Sequence, residues 1–216
     1  MKGLRYTLVS DGPTDANLIP ILNWSLKQTG GVALPEGRHA EFWRLPCPPK
    51  DLAERLTRAV ELYPCEVLFV HRDAENQPVE SRAAEITKAF QAVAGRLGQP
   101  AVAVVPVRML EAWLCFDEKA IRNAAGNPNG KAPLNLPSLK RVESRPDPKQ
   151  ELQQALRAAC ELSGRRLKKF DTAAAFWRIV DCIDDFSPLR ELAAFRALED
   201  SVQKLKKNDW KSGLYV

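Results

Sequence analysis

The stretch EVLFVHRDAEN, Glu66 to Asn76, decides the fold. Val67–Val70 form an unbroken apolar run that stops at His71, Arg72 and Asp73. A short run of this kind, bounded by polar residues, predicts a fully buried strand. Amphipathic patterns stand on both sides of it. Asp51 to Tyr63 places Leu52, Leu56 and Val60 at four-residue spacing, and Glu80 to Leu97 places Ile86, Phe90, Val93 and Leu97 on one face. Each predicts a helix.

Further out, Leu4–Val9 predicts a first strand, and Thr14 is placed to cap a helix with Leu18, Ile19, Leu22 and Leu26 in its stripe. HAEFWRL (39–45) predicts a short strand that ends at the Pro-rich PCPP. AVAVVPV (101–107) predicts another, with Pro106 suited to a strand end. RMLEAWLCFD (108–117) predicts a short helix. The order β-α-β-α-β-α-β-α implies parallel crossovers and an α/β sheet with helices on both faces. Functional residues of such sheets gather at the carboxyl ends of the strands.

After Asp117 the pattern changes. Residues 121–146 are rich in Pro, Gly and Asn with interspersed basic residues, the composition of a long loop. Three helical patterns follow, over 147–163, 172–183 and 188–205. The expected organisation is an α/β core over 1–120, a long basic loop over 121–146 and a helical appendage over 147–216.

The chain has 216 residues, a net charge of +5, 45% hydrophobic and 27% charged residues. That is a soluble globular composition, and its mild basicity permits nucleic acid without demanding it. The five cysteines are scattered and never form C-x-x-C, so neither a disulfide framework nor a zinc site is expected. Buried small apolar thiols in a reducing cytoplasm are expected instead. The run Tyr6–Val9 is too short for a signal peptide, and no stretch approaches a membrane span. There is no G-x-x-x-x-G-K-[ST], so any use of ATP must come from a partner.

Carboxylates collect where the sheet rule puts chemistry. Asp11 follows the first strand, with Asp15 four residues on; Asp73 and Glu75 follow EVLFV; Glu111 follows AVAVVPV. Clustered acids are costly unless a cation neutralises them, and Mg²⁺ takes hard oxygen ligands. Each acid also has a plain reading. Asp15 suits the dipole of a helix's first turn, Asp11 suits a turn, and Glu75 suits an ion pair with Arg72. His71 stands at a strand end, open to acid–base work or to simple packing. His39 has no evident partner.

LVSDGPTDANLI (8–19) and LFVHRDAEN (68–76) resemble the first two motifs of TOPRIM domains, an acid-Gly turn and an Asp-x-Asp written here as Asp73-Ala74-Glu75. A second acid a few residues on is similar to nucleases of the OLD (overcoming lysogenization defect) type. VRMLEAWLCFD, PDPKQEL and AAAFWRIVDCI resemble one branch of TOPRIM-like proteins of unknown function, encoded beside ATPases in bacterial phage-defence loci. The resemblance spans most of the chain. It implies a site built from Asp11, Asp73 and Glu75, with Asp15 and Glu111 holding a second ion, Mg²⁺ or Mn²⁺. It implies that Asp11 acts on metal or as general acid/base, and that Lys149 donates to a phosphate. It implies an ABC- or AAA-type ATPase partner. The family's first acid is usually Glu; Asp11 is one methylene shorter.

The bottom-up reading of Glu111-Ala-Trp113 sends the two side chains to different faces, Glu111 toward the site and Trp113 inward. Asp147 suits a helix cap, with Pro148 next and Lys149 on the exposed first turn. Lys140, Arg141 and Arg145 in the loop are the candidate nucleic-acid contacts; the clusters at Arg165–Lys169 and Lys204–Lys211 read as solvated surface. The leading expectation is a cytoplasmic metal-dependent nuclease cutting DNA or RNA, with self-association into a homo-oligomer left open and no membrane partner. A non-catalytic scaffold of an ATPase complex, and a phosphoryl-transfer protein acting on a small nucleotide, stand beside it.

Overall fold

The computed structural model describes residues 3–216. Its strands are β1 (Gly3–Val9), β2 (Leu34–His39), β3 (Val67–His71), β4 (Ala101–Val104) and β5 (Leu214–Tyr215). Its helices are α1 (Leu18–Ser25), α2 (Leu52–Leu62), α3 (Val79–Val93), α4 (Glu118–Ala124), α5 (Leu139–Val142), α6 (Pro148–Ala159), α7 (Gly164–Lys168), α8 (Thr172–Ile179) and α9 (Ala193–Lys207). The chain divides into two units, residues 3–106 with 193–216, and residues 107–192.

The first unit is an α/β fold. Its five strands lie in the order β2-β1-β3-β4-β5, and every pairing is parallel. Side chains alternate across the strands. Val9, Leu68, Val70, Ala101 and Ala103 pack in one cluster with Leu56 of α2 and Ile86, Phe90 and Val93 of α3. On alternate positions, the Tyr6 and Phe69 rings meet edge-on at 5.0 Å, and the Tyr6 hydroxyl donates to Ile19 O and Asn23 Oδ1 of α1. Trp24 of α1 in turn lies against Phe195 of α9. Gly37 of β2 lets the Tyr6 ring approach: a Cβ there would stand 2.4 Å from it.

Several elements differ from expectation. The first crossover does not start with Thr14 as cap. Pro13 presets a 3-10 turn over Pro13–Asn17, capped at Gly12, whose N–H donates to Asp15 Oδ2 at 2.9 Å. The second strand lies at Leu34–His39, not 39–45, and Phe42–Arg44 form a 3-10 turn. β2 is an edge strand, half exposed along its length, with Pro35 and Gly37 inside it; no apolar run marks it. β4 stops at Val104, ahead of Pro106. The expected division at 120 and 147 also differs. Residues 107–120 belong with the second unit, and residues 193–216 return to the first, where Val102 pairs with Tyr215 and α9 packs on β4. The buried stripe of α9, Phe195, Leu198, Val202 and Leu205, fits a sheet as well as it fits a bundle.

The second unit is helical. α4, α6 and α8 pack on one another, and the 3-10 turn Leu110–Leu114 packs on α6. Trp113, Leu114, Ile121, Leu152, Leu156, Ile179 and Phe186 are buried in it. Residues 121–146 are not one continuous loop: α4 ends and α5 lies within them. Their irregular part is pinned, since Arg122 Nη2 donates to Ala132 O, and Ala132 N and Lys131 N donate to Glu161. No helix among the described residues is long and apolar enough to cross a membrane.

Candidate functional site

The carboxyl ends of β1 and β3 are adjacent because Leu8 pairs with Phe69 and Val9 with Val70. The residues just beyond these pairs form a cleft of about 240 Å³ lined by Asp11, Gly12, Asp15, His71, Arg72, Asp73, Glu75 and Arg82. Four of the acids singled out in the sequence therefore share one cavity.

His71 organises its floor. The imidazole is buried; Nδ1 lies 3.1 Å from Val104 O, and Nε2 lies 3.4 Å from Asp73 Oδ1 and 3.9 Å from Asp15 Oδ1. A ring nitrogen beside a carbonyl carries the proton, so the other faces two carboxylates. Burial alone would lower the His71 pKa. The Asp73 hydrogen bond, the charges of Asp73 and Asp15 and the Val104 carbonyl together push it above the usual value.

Guanidiniums hold the outer acids. Asp11 Oδ1 accepts from Arg55 Nη1 at 2.5 Å, and Asp11 Oδ2 lies 2.8 Å from Arg72 Nε as an ion pair. Glu75 pairs with Arg82 at 2.8 Å, not with Arg72 as the local sequence suggested. Arg82 is also engaged by both Glu85 oxygens and by Asp73 O, which ties α3 to the loop after β3. Glu75 itself has φ 53°, a left-handed conformation that non-glycine residues seldom adopt.

His39 does have a partner. Ser10 Oγ lies 2.6 Å from its Nε2, and the Trp43 ring lies 5.0 Å away. Burial lowers its pKa against the pull of Asp15 and Glu41. With β2 beside β1 and β3 on the other side, the fold brings both histidines of the chain to one sheet edge.

Glu111 and Lys149 lie in the second unit, as do Lys140, Arg141 and Arg145. Glu111 is buried, and Lys149 Nζ stands 3.6 Å from its Oε1. Trp113 is fully buried, as its face predicts. Asp147 Oδ1 accepts from Gln150 N at 2.8 Å and caps α6. Lys140 and Arg141 are exposed on α5, and Arg145 pairs with Glu151. The Cys115 thiol pKa is pushed up to about 12 by burial and by the charges of Glu151 and Glu111.

Among the described residues, no three His, Cys, Asp or Glu side chains are placed to hold a metal ion together. The donor chemistry nevertheless fits one hard cation. Asp15, in the turn after β1, and Asp73, just past β3, offer carboxylate oxygens, and Mg²⁺ takes one or two carboxylates with water completing its shell. A two-ion centre fits poorly, because Asp11 and Glu75 already neutralise guanidiniums. Reasoning from sequence missed Arg55, Arg82 and Ser10, gave Arg72 to Glu75 and left His39 without a partner. Arg72 and Ser10 adjoin strand-end acids and were within reach of it; Arg55 and Arg82 stand mid-helix, with no local signal. No protein-family model, curated protein or solved structure significantly matches this chain.

Proposed function

We propose that the chain is a divalent-metal-dependent nuclease with a TOPRIM-like core, the effector of an ATPase-associated anti-phage defence system. The observation that supports it is the convergence of Asp15, from the turn after β1, and Asp73, from the end of β3, on the buried Nε2 of His71. Asp73 and Asp15 are the residues assigned to a single Mg²⁺ or Mn²⁺. That ion would supply Lewis acidity toward a phosphoryl oxygen and an activated water. His71, charged and fixed by Val104 O, orients the two carboxylates. Arg72 supplies positive charge at the cleft wall. Cleavage is assigned to the first unit alone.

The test is cleavage of labelled single-stranded DNA, duplex DNA and bulk tRNA with Mg²⁺, Mn²⁺ or EDTA. It is run on wild type and Asp73→Ala, with and without a candidate ATPase partner. Metal-dependent cleavage lost in Asp73→Ala is the expected result. Absence of cleavage under every condition sinks the nuclease reading. One observation favours the second reading, a non-catalytic subunit: Asp11, the counterpart of the acid that the TOPRIM resemblance makes central, is held by two arginines.

A further inference from the structure

Two guanidiniums converge on one carboxylate in the cleft. Arg55 reaches Asp11 from α2, and Arg72 reaches it from the end of β3. Arg55 Nη1 is anchored as well to Ser10 O at 3.1 Å, so its fork is fixed against the end of β1. Arg72 has Nε on Asp11, while its Nη2 stands 3.8 Å from Glu85 Oε2. The contrast with Arg82 is instructive. Arg82 places Nε, Nη1 and Nη2 on Asp73 O, Glu85 and Glu75, which commits all three nitrogens to the protein. Arg55 commits Nη1 alone among the described residues, and Arg72 makes one close ion contact, at 2.8 Å.

Asp11 is also the most exposed member of the trio. Its side chain is 49% exposed, against 24% and 26% for the two arginines. A carboxylate presents two oxygens to a guanidinium fork in the same way as the non-bridging oxygens of a phosphodiester. Asp11 thus occupies a position suited to a phosphate, between arginines that the fold holds in place.

We propose that Arg55 and Arg72 form a phosphate clamp for a nucleic-acid backbone, closed in the resting protein by Asp11 as an internal counter-ion. The incoming phosphate displaces the Asp11 carboxylate and takes over its two guanidinium contacts. No bond is made or broken. The clamp deepens the proposed nuclease function, resting on it for the identity of the ligand, and it gives Asp11 a role other than holding metal.

The test is fluorescence anisotropy of a labelled single-stranded oligonucleotide at low salt in EDTA, where metal cannot contribute. Arg55→Ala and Arg72→Ala are each expected to bind about tenfold more weakly, the scale of a lost charge-assisted contact. Asp11→Asn, which removes the competing anion, is expected to bind about tenfold more tightly. Asp11→Asn binding that is unchanged or weaker overturns the clamp, as does unchanged binding in both arginine variants. Thermal melting is read alongside. If Asp11→Asn does not fold, Arg55→Lys and Arg72→Lys decide: they keep the charge and lose the fork, so weaker binding supports the clamp and unchanged binding overturns it. The two proposals fail separately. Tighter binding by Asp11→Asn with no cleavage by wild type leaves the clamp and removes the nuclease; cleavage by wild type without that tightening does the reverse.

Discussion

The acids of the sheet edge and the buried acid of the second unit are neutralised by opposite means. In the cleft, Asp11 and Glu75 meet guanidiniums at 2.5–2.8 Å, and Asp15 and Asp73 meet a buried imidazole. In the second unit, Glu111 is 6% exposed, and the lysine facing it at 3.6 Å has a side chain 54% exposed. A planar fork fixes direction; an ammonium on a flexible, solvated stem supplies charge and little geometry. Rigid positioning is what a reacting or binding site needs, and the cleft has it.

The strongest way to break this contrast is kinetic. Asp73→Ala should reduce metal-dependent cleavage about a hundredfold or more, measured as initial rates on the substrate that wild type cuts. An equal loss in Glu111→Ala would show that the cleft residues are not the whole site. Next in size is a control on the unit that carries the cleft. Phe195 of α9 is fully buried, and Phe195→Ala should cost about 3–5 kcal/mol in chemical denaturation. A much smaller loss would mean that α9 does not hold the sheet unit together.

His71 gives the contrast a pH dependence. Its folded pKa lies above the ordinary 6.5, so its contribution to stability is fully present below that value. It is lost as pH rises through the folded pKa. In EDTA, the melting-temperature gap between wild type and His71→Gln should therefore be widest in mild acid and should narrow toward alkaline pH. A gap that widens with pH would mean that His71 is neutral in the fold. Two smaller effects belong to the second unit. Asp147→Ala should cost about 1 kcal/mol through the lost cap on α6. Lys149→Met should cost less than about 1 kcal/mol, since an exposed partner is screened. A loss of several kcal/mol there would place Lys149 in a rigid pair like those of the cleft.

The fold was legible wherever burial left a mark on composition. β1, β3 and β4 carry apolar runs because helices cover both faces of the sheet, and that alone predicts parallel α/β architecture. β2 left no such mark: Leu34 is 56% exposed, and the aromatic stretch beside it belongs to a 3-10 turn. α9 was legible as a helix but not as part of the sheet unit, since an amphipathic stripe does not name the surface it covers. The acids of the cleft were legible from the strand-end rule. Their cations were not, because Arg55 and Arg82 reach the cleft by helix placement, which is a tertiary property.

The return of the chain to its first unit sets an order of events. A ribosome completes β1 to β4 and then makes residues 107–192 before α9 and β5 exist. At roughly 5–20 residues per second, that interval lasts several seconds. For that time, the surface destined for Phe195, Leu198 and Val202 has no cover, and β4 has an open edge where β5 will pair. The sheet that carries the cleft is finished last, after the unit inserted within it has had time to fold.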